Sequence, residues 1–143
     1  LFKLALLLGI IGALLMYVLA PWVVPLVWGE AFIPSVKLLQ YLLPGILVFS
    51  IYRVLNSRLS GEGKPQIAIY VFLPTLLLNI VLNYLWIPQQ GAMGAVLATN
   101  VSYILSSLAF LFISVKIMHI SLARFLLPSK DDFNYFMAVF KKL

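Results

Sequence analysis

The chain has no cysteine, one histidine and four acidic residues among its 143. Without cysteine there is neither a disulfide framework nor a thiolate metal site. The one histidine, His119, has no second ligand at metal spacing. The carboxylates, Glu30, Glu62, Asp131 and Asp132, all fall in predicted loops or in the C-terminal stretch. No carboxylate pair stands within an apolar run to act as acid and base, so we expect neither an enzyme nor a cofactor or metal. Charge is scarce, at 10% of residues, where soluble domains carry about a quarter.

What is there is apolar. Hydrophobic residues make up 64% of the chain and the mean hydropathy is +1.09. They come in blocks near the ~20 residues that a bilayer-crossing helix needs. We therefore expect an all-α integral membrane fold. Residues 1–120 would hold four crossings, at about 4–28, 38–57, 66–87 and 92–115, and residues 121–143 a separate tail. Pro88, Gln89, Gln90 and Gly91 read as a four-residue turn between the last two crossings. Trp22, Trp28, Tyr84 and Trp86 fall near predicted membrane interfaces, where amphipathic rings collect. The sequence opens on Leu1, already inside an apolar run, which points to a piece of a longer protein. A signal peptide fits poorly, because the run is too long and no small-residue cleavage pattern follows Ala20.

The formal net charge of +6 does not point to nucleic acid, because the basic residues flank apolar runs instead of sharing a soluble face. Lys3, Arg53, Arg58, Lys64, Lys116, Arg124, Lys130, Lys141 and Lys142 fall on one predicted side, and only Lys37, in a loop with Glu30, on the other. The positive side is expected to be cytoplasmic, which places both ends of the segment inside the cell. In the tail, Ser129 with Asp132 reads as a capping-box-like helix start. Phe133, Phe136, Met137 and Phe140 then recur at helical spacing, as in an amphipathic helix lying on membrane lipid. Gly61, Glu62, Gly63 and Lys64 lack the preceding strand and the spacing of a phosphate loop and read as a tight turn.

A sparse set of small and polar residues interrupts the apolar runs. Gly94, Ala98, Ser102 and Ser106 form a stripe at i, i+4 on the fourth crossing, and Ala5, Gly9 and Ala13 another on the first. Such stripes let helices pack closely. Thr75, Asn79 and Asn83 share one face of the third crossing, next to Pro74, which frees a backbone carbonyl. Asparagine in hydrocarbon needs a partner or water, so this face either packs on a polar helix or lines a wet cavity, and Asn100 has the same two options. Pro44 and Gly45 read as a hinge in the second crossing, with Pro74 as another flexible point. Below that hinge lie Tyr52, Arg53, Asn56 and Arg58. Arg53 reads either as an interfacial anchor or as an anion contact, since a guanidinium matches phosphate geometry.

Four stretches carry a resemblance: APWVVPLVWGEAF (20–32), LNSRLSGEGKPQ (55–66), LNIVLNYLWIPQQGAMGAVLATNVSYIL (78–105) and LLPSKDDF (126–133). In this order and spacing the chain resembles the C-terminal part of bacterial polysaccharide flippases, within the multidrug/oligosaccharidyl-lipid/polysaccharide exporter superfamily. The resemblance implies two helix bundles of twelve to fourteen helices in total around a central cavity, in the bacterial inner membrane. It implies movement of undecaprenyl-diphosphate-linked oligosaccharide from the inner to the outer leaflet by alternating access. Implied partners are the N-terminal helices of the same chain, the lipid-linked oligosaccharide and other glycan-assembly proteins. Arg53, Asn56, Thr75, Asn79, Asn83 and Asn100 are the cavity-lining candidates. Two alternatives stand beside this: an ion-coupled exporter of drugs or small metabolites from the same superfamily, and a non-transporting subunit of a membrane glycan-assembly enzyme.

Overall fold

A computed structural model describes residues 2–118; the tail helix expected at 121–143 and His119 lie outside the described residues. Every described element is helical: α1 (Phe2–Trp28), a 3-10 turn (Glu30–Phe32), α2 (Ile33–Gly61), α3 (Gln66–Gln90) and α4 (Ala92–Met118). At 25 to 29 residues, each α-helix exceeds the length a bilayer requires. The protein is a multi-pass, all-α membrane segment.

Two proline positions explain where the helices begin and end. Helix α2 starts at Ile33 and not near Leu38, because Pro34 sits in its first turn. There the missing N–H would have had no helical partner anyway. Helix α3 runs through Pro88 to Gln90, so the expected four-residue turn is one residue, Gly91. Its φ of 58° with ψ of −138° suits glycine, and its N–H donates to the Ile87 carbonyl at 2.8 Å.

Helix α2 ends in a Schellman motif. The Lys64 N–H donates to the Leu59 carbonyl at 3.0 Å and the Gly63 N–H to the Ser60 carbonyl at 3.1 Å. The motif needs a left-handed residue between them, and Gly63 supplies it with φ of 77°. The Gly61–Lys64 stretch is thus a helix terminator that returns the chain into α3.

Helix α4 is the central element. Helices α2 and α3 both pack on it, more than on one another, and α1 packs chiefly on α2. Near the Schellman turn, Tyr52, Leu55, Leu59, Val71 and Phe110 bring α2, α3 and α4 into one buried cluster. The seam between α2 and α4 is tight: a Cβ on Gly45 would collide with the Asn100 carboxamide and reach within 3.2 Å of the Asn100 Cα. Across it the Ser107 hydroxyl lies 2.9 Å from the Val48 carbonyl and 2.8 Å from the Tyr103 carbonyl of its own helix, and can donate to either. Most of the described side chains of α1, residues 7–28, are exposed apart from Ala20 and Val24, with Leu26 85% accessible.

Candidate functional site

Above the shared core cluster, α2 and α3 stand either side of a cavity of about 580 Å³, with α4 behind it. Helix α2 lines it with Phe49, Tyr52, Arg53 and Asn56. These fall at i, i+3, i+4 and i+7, one face of a helix. Helix α3 contributes Phe72, Thr75, Leu76 and Asn79 on the same spacing, and α4 contributes Thr99, Ser102, Tyr103 and Ser106. Arg53 stands roughly 12 Å of helix rise from Gly61, and Asn79 roughly 20 Å from Gln66. The cavity therefore reaches from the turn side of the membrane to about its middle.

The wall is part aromatic and part polar. Phe49 stacks on Tyr103 with ring centroids 4.2 Å apart and on Tyr52 at 4.9 Å, and Tyr52 meets Phe110 edge-on at 4.8 Å. Such contacts fix ring orientation. The polar side chains are engaged locally. Asn83 Nδ2 donates to Asn79 Oδ1 at 2.9 Å. The Thr75 hydroxyl lies 2.9 Å from both the Val71 and Phe72 carbonyls. Those of Thr99, Ser102 and Ser106 donate to carbonyls one turn back. Serine and threonine can satisfy themselves this way in hydrocarbon.

Of the candidates read from the sequence, Arg53, Asn56, Thr75 and Asn79 come together on the cavity wall, joined by Ser102 of the small-residue stripe. Asn83 lies one turn further along α3 and reaches the site through Asn79. Asn100 faces α2 instead: its Nδ2 donates to the Tyr41 carbonyl at 2.7 Å, and its Oδ1 is buried without a partner. Helix α2 continues through Pro44 and Gly45, where Gly45 provides the room for Asn100. Gly94 gives similar room against the Trp86 carbonyl group, and Ala98 is fully buried. Helix α3 likewise continues through Pro74. The side chain of Arg58 lies outside the described residues.

The aromatic wall was missed from sequence. Its signal was present in Phe49, Tyr52 and Asn56 and again in Thr99, Tyr103 and Ser106, which recur at helical spacing on two faces.

A four-helix membrane segment with a mixed aromatic and polar cavity can be compared with known families. The MatE family model matches residues 1–85. The chain belongs to the MatE family. Within the match lie α1, α2 and most of α3, with Arg53, Asn56, Thr75 and Asn79; α4 lies beyond it. An uncharacterized membrane protein of Methanocaldococcus jannaschii is 35% identical over 71 residues, covering 50% of this chain and 17% of that protein. The probable multidrug resistance protein NorM of Bacillus subtilis is 35% identical over 71 residues, 46% of this chain and 16% of its own length. NorM of Bacillus licheniformis is 35% identical over 78 residues, 50% of this chain and 17% of its own length. The chain thus spans about a sixth of the curated relatives it matches. No solved structure matches. This MatE segment sets polar residues both on the cavity wall and in the α2–α4 seam.

Proposed function

We propose that this chain is part of a multi-pass exporter that moves small amphipathic molecules across the cell membrane, with the α2–α3–α4 cavity as part of the passenger's path. One observation carries the reading: a cavity of about 580 Å³ between membrane-length helices, lined by stacked rings of α2 and α4 and by hydroxyl and carboxamide groups from all three helices. Sites for small organic molecules combine apolar and aromatic walls with placed polar groups. Membership in the MatE family and the likeness to two probable multidrug resistance proteins support it. Bending at Pro44 and Pro74 would let α2 and α3 move between inward- and outward-open states. The distribution of lysine and arginine supports a cytoplasmic Schellman turn, with Gly91 on the outside.

A second reading, flipping of lipid-linked oligosaccharide, is favoured by Arg53, a cation on the cavity wall that a lipid-linked diphosphate would require. In that reading the isoprenoid tail stays in lipid, and glycan-assembly proteins are the neighbours. One deletion strain separates the two. Loss of the full-length gene should raise susceptibility to toxic aromatic amphiphiles, and re-expression should reverse it. Unchanged susceptibility with loss of surface glycan would transfer the assignment to the flippase. An impermeant thiol reagent should label Gln90→Cys in intact cells; labelling only after lysis would invert the topology.

A further inference from the structure

The polar groups of the cavity are not interchangeable, because hydrogen bonds already made on the protein decide which half of each group remains. Arg53 is the one charged residue on the described wall. Its guanidinium is donor-only and permanently cationic. Asn79 has one lone pair of its carboxamide oxygen engaged by Asn83 at 2.9 Å, which leaves its NH2 as the donor it can turn to a guest. Asn56 has the same arrangement with the Ser60 hydroxyl, at a longer 3.5 Å. On α4 the reverse holds. Ser102 and Ser106 direct their hydroxyl hydrogens to the Ala98 and Ser102 carbonyls at 2.8 and 2.7 Å. What each oxygen then offers to a guest is lone pairs. Among these groups the α2 side therefore donates and carries positive charge, the Ser102 and Ser106 pair on α4 accepts, and α3 carries one group of each kind, with Thr75 as its acceptor; the Tyr52 and Tyr103 hydroxyls on the same wall can do either.

We infer that the cavity takes a hydroxylated organic anion: anionic oxygens toward Arg53 and Asn56, hydroxyl or amine donors toward Ser102 and Ser106, and an apolar body along Phe49. The inference rests on the reading of this cavity as a passenger site. A cationic amphiphile without donors is disfavoured twice. It meets the like charge of Arg53, and it leaves the α4 oxygens without the hydrogens they can accept. Two sources share the selected chemistry, a soluble anionic glycoside and the sugar-phosphate head of a lipid.

The test measures binding to the full-length protein in lipid nanodiscs. The probes are 4-nitrophenyl glucuronide, its neutral counterpart 4-nitrophenyl glucoside, the apolar cation tetraphenylphosphonium, and a polyprenyl phosphate carrying one sugar. The glucuronide should bind about tenfold or more tighter than the glucoside, the range of a hydrogen bond to a charged group. Arg53→Gln should erase that ratio, Arg53→Lys should keep part of it, and Ser102→Ala with Ser106→Ala should weaken both glycosides alike. If only the polyprenyl sugar phosphate shows the Arg53 dependence, the anion is a lipid head; if the glucuronide shows it too, soluble anions are accepted. Tighter binding of tetraphenylphosphonium than of either anion, or binding of both the glucuronide and the polyprenyl sugar phosphate that is indifferent to Arg53→Gln, overturns the inference. The wild-type ratio decides even where a variant fails to fold. Transport is read separately: movement of tetraphenylphosphonium without anion preference leaves the exporter standing and sinks the polarity, whereas anion binding without movement of any probe does the opposite.

Discussion

Asn79 and Asn100 are the same residue type near the middle of neighbouring helices, yet they occupy opposite kinds of surroundings. Asn79 lies on the cavity wall, and its oxygen accepts from Asn83 on its own helix. Asn100 lies in the α2–α4 seam, its nitrogen bonded to the Tyr41 carbonyl of another helix and its oxygen buried with no donor. The bonded carboxamide and hydroxyl groups of α3 and α4 on the wall are satisfied within their own helices, so a movement of α3 away from α2 breaks none of these bonds. The seam groups reach across helices, so the same movement there would break a bond. A polar residue in a membrane helix thus works as wall or as clasp according to where its partner sits.

The largest effect that could break this contrast is the same substitution made in both places. Asn100→Asp removes the donor to Tyr41 and sets a carboxylate in a closed seam. We expect a loss of about 2.5–3.5 kcal/mol, the range for an acidic group at the centre of a membrane helix. Asn79→Asp faces the cavity, where water and Arg53 can stabilise the charge, and should cost under about 1 kcal/mol. Equilibrium unfolding of the full-length variants in mixed micelles reads the difference. Equal losses would mean that the two surfaces are alike in their access to water.

A steric version sharpens the seam alone. Gly45→Ala places a methyl group on the Asn100 carboxamide, and overpacking of this kind costs about 1–3 kcal/mol. The double variant Gly45→Ala with Asn100→Ala removes the colliding carboxamide. Although the Asn100 Cα would still lie 3.2 Å from the new methyl, the pair should lose less than the sum of its single variants. Strict additivity in the same unfolding assay would show that the two residues do not meet.

The contrast also explains which parts were readable in advance. The four helices were visible because apolar length alone specifies a membrane crossing. Their ends were less so, because Pro34 looks like a breaker but occupies a first turn that tolerates it, and α3 carries Pro88 inside its last turn. Thr75 and Asn79 share a wall because periodicity within one helix puts them on one face. That Asn100 would turn toward Gly45, and that Phe49 would stack on Tyr103, depends on how α2 and α4 are rotated against each other. Nothing in the spacing along a single helix encodes that rotation.

The smallest effect tests whether the α1–α2 contact is also a clasp. Pro21 has no N–H, so the Tyr17 carbonyl one turn earlier loses its helical donor. Gln40 Nε2 of α2 lies 3.0 Å from that carbonyl and donates to it. In hydrocarbon a freed carbonyl needs such a partner, which makes Gln40 a repair across helices. Gln40→Leu should then cost about 0.6 kcal/mol, the typical measured worth of an interhelical hydrogen bond in a membrane. Made together with Pro21→Ala, which gives Tyr17 an N–H from its own helix, the same change should cost almost nothing. The sign of this coupling is decisive: if Gln40→Leu costs as much in the Pro21→Ala background as in the native one, then Gln40 holds α1 by packing and the proline is irrelevant to it. If the cost vanishes, α1 is held to α2 by a bond that exists because of the proline, and the clasp principle extends from the α2–α4 seam to the edge of the segment.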